Sequence, residues 1–283
     1  MHTALLTALA MLAFAGNSLL CRMALKLTTL DAASFTSVRL VSGAIALCLL
    51  LRFRGGAKAR GTHGNWGSAL ALFAYAALFS YAYVGMTAAT GALLLFGAVQ
   101  ASMIGWGLAH GERLRPLQTL GFVAALAGLA ALMLPGFATP QWSVALAMLG
   151  AGVAWGVYSL RGKTVTPGQA ADPLSTTYGN FVRTVPMAVA LIAVALPTVQ
   201  LDSAGMALAV ASGAITSGLG YAVWYRALPA LQATHAATVQ LSVPVIAAAG
   251  GVLILGESFT WQLLVSSVAI LGGIALVLRK ARR

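Results

Sequence analysis

Charge is scarce in this 283-residue sequence. Only 8% of its residues are Asp, Glu, Lys or Arg, with five acids against seventeen bases, where a soluble domain carries about a quarter. So few charges cannot cover the surface of a soluble fold of this length. A hydrophobic fraction of 60% and a mean hydropathy of +0.89 exclude intrinsic disorder. There are two cysteines, Cys21 and Cys48, each inside an apolar run, which excludes a disulfide scaffold and a cysteine-based metal cluster. The period-2 alternation of a transmembrane β-barrel is missing. So is a Gly-x4-Gly-Lys-Ser/Thr loop, and no cofactor is expected. Four histidines and five carboxylates form no nucleophile–base–orienter set, so the chain does not read as an enzyme. What the sequence does have is long apolar runs, and these describe an all-α integral membrane protein.

A hydrocarbon core of ~30 Å takes about 20 helical residues, so this length suits ten spans joined by loops of about eight residues. The first five runs are Ala4–Leu25, Ala32–Leu51, Trp66–Met86, Gly91–Ala109 and Pro116–Leu134. The second five are Trp142–Leu160, Leu174–Leu196, Gly205–Ala227, Thr234–Leu255 and Trp261–Leu278. Breakers stand between them at Arg54-Gly55-Gly56, Leu134-Pro135-Gly136, Thr166-Pro167-Gly168 and Asp172-Pro173. Trp66, Trp142 and Trp261 open spans, where an interfacial anchor sits. With the gaps assigned alternately to two sides, one side collects thirteen of the seventeen basic residues, among them Lys58, Arg60, Arg113, Arg226 and Arg279. The other side holds Lys26 and Arg22. The positive-inside rule therefore puts both termini in the cytoplasm of a multi-pass inner (plasma) membrane protein. The basic balance orients the chain in its bilayer and gives no reason to invoke nucleic acid. Short loops offer no surface for an obligatory protein partner. Met1 is followed by no basic region, so the first run reads as a permanent span and not a cleaved signal.

Segments of the first half recur in order about 140 residues later. Ala8 to Leu12 returns as Ala145 to Leu149, Tyr81-Ala82 as Tyr221-Ala222, and Val99-Gln100-x-Ser102 as Val239-Gln240-x-Ser242. Gly111-Glu112 returns as Gly256-Glu257. The expected halves are 1–136 and 137–283, each of five spans, so the second is inverted in the membrane relative to the first. Inverted repeats place a substrate path at their interface near the midplane and suit alternating access. Gln100 to Glu112 is shorter than Gln240 to Glu257, so the fourth span is expected to be shorter than the ninth.

Ten spans, this duplication, Gly16-Asn17-Ser18 in the first span, Phe35-x3-Arg39 in the second and Gly-Glu closing the fourth and ninth together resemble the drug/metabolite transporter superfamily. Within it the likeness is to EamA-type exporters, and among those to YddG-type exporters of aromatic amino acids. The resemblance covers the whole chain. It implies a ten-helix bundle whose central cavity is lined mainly by the first, third, fourth, sixth, eighth and ninth helices. It also implies export of small amphipathic metabolites, aromatic and other hydrophobic amino acids first. Other carriers of the same fold are the alternatives: a nucleotide-sugar or sugar-phosphate exchanger, or a drug or organic-cation exporter. A non-transporting membrane scaffold is the alternative from another class.

Aromatic residues recur at helical spacing inside the spans. Tyr75, Phe79 and Tyr83 share a face of the third, Trp155 and Tyr158 of the sixth, and Tyr221, Trp224 and Tyr225 of the eighth. Packing or lipid contact explains each singly; collectively they suit a cavity wall. Asn17, Gln100, Ser102, Gln240 and Ser242 add neutral hydrogen-bonding groups, a mixture suited to a ring-bearing amphipathic ligand. Arg39 and Arg183 are the cations inside spans, either bonded to backbone carbonyls by snorkelling or set to meet a gate or a substrate carboxylate. All five acids map to loops or span ends, and no metal site is expected. Glu112 and Glu257 are expected to pair with Arg113 and neighbouring loops. Gly97, Ala101 and Gly105, and Gly152 with Gly156, form small-residue stripes for close helix approach. Pro186 and Pro244 each remove a helical hydrogen bond. A cysteine placed at Gly136 or Ser203 should react with an impermeant thiol reagent in intact cells, and one at Gly61 or Gly168 should not. Labelling at Gly61 would reverse the orientation.

Overall fold

The computed structural model describes residues 2–54, 63–111, 113–132, 141–163, 172–227 and 239–278. The expectations for Glu112, the Tyr225 side chain, the breakers at Gly55, Pro135 and Pro167, and the bases Lys58, Arg60 and Arg279 lie outside them. Among the described residues ten main helices follow one another: α1 (His2–Leu27), α2 (Ala32–Phe53), α3 (Trp66–Val84), α4 (Ala88–Ala109), α5 (Pro116–Leu132), α6 (Trp142–Lys163) and α7 (Pro173–Ala195), then α8 (203–227), α9 (Ser242–Leu255) and α10 (Trp261–Leu278). No strand occurs among the described residues. Helix α8 is interrupted in kind but not in course. It is α-helical over Ser203–Ala211, π-helical over Ser212–Leu219 and α-helical again over Gly220–Ala227.

Helix starts follow the local chemistry. The side chains of Asp31, Asn65, Thr87 and Asp202 accept from the first-turn N–H groups of α2, α3, α4 and α8, satisfying donors that a helix end leaves free. Gly256 ends α9 in the left-handed conformation at φ 61°, which a residue without a Cβ adopts at no steric cost. Among the described residues seven helices are long and apolar enough to cross a membrane, and α5, α9 and α10 are shorter apolar helices there. Helix α4 has 22 residues; α9 has 14 and follows a turn at Leu241, with Val239 and Gln240 helical ahead of it, and positions 234–238 of the expected ninth span lie outside the described residues. Pro244 stands in the first turn of α9, three residues after the turn at Leu241. Pro186 lies inside α7, as its position in the sequence requires.

The bundle is apolar on its outside. Leu253, Val194 and Val268 are among the most exposed side chains, and Trp66, Trp142 and Trp261 are exposed at the starts of their helices. In lipid these surfaces carry no cost, so close packing rather than water exclusion must hold the helices together. Helix α2 packs along α7, α3 along α6, α1 along α8 and α5 along α10, while α4 lies against α6 and α9. A Cβ on Gly152 would stand 2.6 Å from the Leu95 carbonyl oxygen, and one on Gly156 would strike Ser102, so this stripe brings α6 onto α4. Gly97 meets Leu129 of α5, but Gly105 faces open space and serves no helix contact among the described residues. Helices α5 and α10 cross closely, their backbones meeting at Gly121 and Gly273. Gly273→Ala should destabilise the protein by about 1–3 kcal/mol through overpacking. Its neighbour Gly272 has nothing in front of it, and Gly272→Ala should add about 0.5–1 kcal/mol through helix propensity. Thermal unfolding in detergent reads both.

Candidate functional site: an aromatic cage beside a buried guanidinium

Rings from four helices converge at the middle of the bundle. Trp155 of α6 is the hub, with ring centroids 4.8 Å from Tyr75, 5.1 Å from Tyr221, 5.5 Å from Tyr158 and 6.5 Å from Phe14. Phe79 sits one turn along α3 from Tyr75, at 5.4 Å, and Phe14 meets Tyr221 edge-on at 5.8 Å. Tilted and edge-to-face pairs of this kind add about 0.5–1.5 kcal/mol each beyond area burial. Phe14, Tyr75, Phe79, Trp155 and Tyr221, with Asn17, enclose a cavity of about 20 Å³, room for about one water. In this conformation the cage is shut.

A polar layer lies against its back. Tyr75 Oη accepts from Asn17 Nδ2 at 3.3 Å and from Arg39 Nη2 at 3.2 Å. Asn17 Oδ1 in turn accepts from Ser212 Oγ at 2.7 Å and Thr216 Oγ1 at 3.4 Å. Arg39 Nε donates to Ser217 Oγ at 3.1 Å, and the guanidinium carbon is 5.2 Å and 5.0 Å from the centroids of Tyr75 and Phe79. Three hydroxyls of one helix thus serve two partners, because the π-helical turn of α8 presents Ser212, Thr216 and Ser217 on one side. π-helical turns concentrate at functional sites. Gly213 lets this turn approach: a Cβ there would collide with the Arg39 carbonyl oxygen and Ser42 Oγ.

The two span cations differ. Arg39 is 2% exposed and does not snorkel; its partners are a hydroxyl, a phenol and two rings. Arg183 is half-buried and donates to the Gly179 carbonyl of its own helix at 2.8 Å. Tyr158 and Trp224 flank the cage as buried neighbours: Tyr158 Oη accepts from Asn180 Nδ2 at 3.4 Å, and Trp224 meets Phe14 at 5.9 Å. Tyr83 is buried beyond Phe79, its ring over Gly91 and its hydroxyl donating to Ala88 O at 3.4 Å. Gln100 is buried on α4 away from the cavity lining. Ser102 and Ser242 each donate to a carbonyl three residues back, and Gln240 is half-buried just ahead of α9. The sequence reading missed Phe14, although Phe14 and Asn17 share a helical face. It also missed the hydroxyl triplet of α8, for which only the spacing of Ser212, Thr216 and Ser217 gave a sign.

The ends of the bundle differ as well. At one, Arg22 Nε meets Glu257 Oε1 at 3.0 Å, with side chains 13% and 4% exposed. Glu257 therefore pairs with Arg22 of α1 and not with Arg113. Arg22 Nη1 also donates to the carbonyls of Tyr83 and Val84 at 2.9 Å and 3.2 Å, and Glu257 Oε2 accepts from Ala88 N at 2.8 Å. A cation caps the end of α3 and an anion the start of α4, each matched to the local helix dipole. Lys26 donates to Leu255 O in the same layer, and Asp31 accepts from Gln200 N. Burial pushes the Asp31 carboxyl up, but hydrogen bonds from Ser34, Gln200 and Ala33 outweigh it and hold its pKa below the ordinary value. At the other end Arg54 meets Asp172 at 3.3 Å and both are well exposed. Beside this pair a vestibule of about 740 Å³ opens between α1, α2, α7 and α8, reaching Leu219 and Ala222. Ala222 lines the vestibule and Tyr221 lines the cage, so one residue step on α8 separates the two.

Breaking the latch at one partner leaves the other charge stranded. Glu257→Gln should cost about 3 kcal/mol of stability, whereas Arg22→Met combined with Glu257→Gln should recover part of that loss. Thermal midpoints in detergent for the three proteins check it.

The EamA-like transporter family matches residues 142–279. An uncharacterized protein of Pseudomonas aeruginosa is 54% identical over 277 residues, spanning 98% of this chain and 94% of its own. A crystal structure of another protein superposes with a TM-score of 0.65 over 97% of this chain and 95% of its own, at 19% identity, a likeness of fold.

Proposed function

The chain belongs to the EamA-like transporter family of the drug/metabolite transporter superfamily, and on that premise we propose that this multi-pass membrane protein exports small ring-bearing amphipathic metabolites from the cytoplasm across the inner membrane. Aromatic and other hydrophobic amino acids are the foremost candidates, in keeping with its resemblance to YddG-type exporters. The observation that carries this reading is the Trp155-centred cage, where ring faces supply apolar contact and Asn17 supplies a neutral polar group beside them. Such a site takes a flat apolar body and fixes it by few polar contacts.

Alternating access fits the asymmetry of the ends. In the orientation set by the basic loops, the Arg22–Glu257 latch faces outward and the vestibule faces the cytoplasm, so the conformation is closed outside and stopped short of the cage within. Substrate entry then requires Tyr221 and its neighbours to part, and release requires the latch to open. The helix pairings support two inverted halves, 1–136 and 137–283. Equivalent helices meet each other in α2 with α7, α4 with α9 and α5 with α10, and the contacts of α3 with α6 and α4 with α6 have counterparts in α8 with α1 and α9 with α1. Nucleotide-sugar and sugar-phosphate substrates carry two or more negative charges and call for a cluster of cations. Among the described residues, one guanidinium, Arg39, stands beside the cage.

Efflux of radiolabelled amino acids from cells with and without the protein tests the reading; no difference for any aromatic or hydrophobic amino acid would overturn it. Trp155→Ala and Tyr221→Ala should each lower export of aromatic relative to small aliphatic substrates by about two- to tenfold, from the loss of ring–ring contact. The ratio is the readout, because expression changes alter all substrates alike.

A further inference from the structure

Arg39 is a buried cation with no acid. Among the described residues the ion pairs are Arg22–Glu257 and Arg54–Asp172, and neither involves it. Its Nε and Nη2 donate to neutral oxygens, and its Nη1 is buried without a hydrogen-bond partner. A guanidinium is costly inside a membrane protein and ordinarily pairs there, so this one is set for an anion that the chain's described residues do not supply.

The geometry points to a carboxylate of the transported molecule as that anion, and to ring-bearing monocarboxylates as the substrate class. This deepens the proposed function and rests on it. Two donors, the Arg39 guanidinium and the Asn17 amide, converge on a single phenol oxygen, that of Tyr75, at 3.2 Å and 3.3 Å. Charge-assisted bonds to a carboxylate run shorter, about 2.7–2.9 Å, so the phenol holds the place of a better acceptor. Tyr75 and Phe79 line the cage, and the guanidinium carbon lies 5.2 Å and 5.0 Å from their centroids. One ring's thickness thus separates the cation from the cavity. Rotation of Tyr75 brings a carboxylate onto Arg39 and Asn17 while the ligand's ring stays against Trp155 and Tyr221.

The other charge of an amino acid finds no equivalent. Glu257, the buried acid among the described residues, is committed to Arg22 and Ala88 N. Asn17 Oδ1 already accepts from Ser212 and Thr216. An ammonium is left with neutral groups and ring faces. One positive charge in the site matches one negative charge in the ligand, so an aryl-alkyl carboxylate should bind at least as well as the corresponding amino acid, and the corresponding amine worst.

Three ligands of one ring and chain separate the charges: 3-phenylpropionate, phenylalanine and phenethylamine. Calorimetric binding to the full-length protein in detergent, with efflux from proteoliposomes, is expected to rank them in that order, phenethylamine at least tenfold weaker than phenylpropionate. Arg39→Gln should weaken both carboxylates by about ten- to hundredfold, the loss of a charge-assisted hydrogen bond, and leave phenethylamine unchanged or improved. This variant removes an unpaired charge and strands none, so it should fold; an unchanged thermal midpoint verifies that. Tyr75→Phe keeps the ring, frees both donors and should retain or tighten carboxylate binding, an outcome that a purely structural network would not give. Equal binding of phenethylamine and phenylpropionate, or carboxylate binding that survives Arg39→Gln, overturns the inference and leaves the proposed function standing. Failure of all three to bind or move overturns both.

Discussion

A guanidinium at the centre of an apolar bundle constrains everything around it. Arg39 is buried, and its charge must be tolerated by whatever the neighbouring helices place within reach. Tyr75 and Phe79 of α3 offer ring faces, Ser217 of α8 an oxygen, and Tyr75 a phenol. Each cation–π contact contributes roughly 0.5–2 kcal/mol depending on desolvation. Arg39 links α2 to α3 and α8 through these contacts, and two glycines admit the crossing there. Gly213 admits the Arg39 backbone, and Gly43 admits Phe181 at the same crossing. A larger residue at either would push α8 or α7 away from the cation.

Closed end and open end are built from different chemistry. The Arg22–Glu257 latch uses full charges that also cap helix termini, so its strands of interaction run through α1, α3, α4 and the end of α9 together. The vestibule end relies on an exposed pair, Arg54 with Asp172, of a kind worth little in water. The two ends thus differ in their electrostatic links, and the aromatic cage lies between them.

Helix positions were legible because apolar runs are local. The ends of α2, α6 and α10 fall within a few residues of the runs read from sequence, whereas the caps at Asp31, Asn65, Thr87 and Asp202 went unread although their short polar side chains were there to see. Ring-bearing faces were legible for the same reason: Tyr75 with Phe79, and Trp155, stand at helical spacing and do meet. Partnerships between distant residues were not legible. Nothing local joins Arg22 to Glu257 or sets Arg39 beside Ser217, and nothing in the sequence separates Arg39, which meets α3 and α8, from Arg183, which bonds its own helix backbone. The turn at Leu241 likewise lacks a strong breaker at its own position.

The eighth helix carries its π-helical stretch where length and register usually trade off against each other. Bonds from i to i+5 enclose one residue more per turn than α-helical bonds, so Ser212–Leu219 stores extra chain within an otherwise continuous rod. A one-residue deletion inside a membrane helix ordinarily rotates everything beyond it and misaligns one entire face. In α8 such a deletion can be absorbed by converting wide turns to ordinary ones, leaving Met206 and Tyr221 on their original sides. A one-residue change of length is therefore structurally cheap in this stretch, and what it would forfeit there is the row of three hydroxyls rather than the fold.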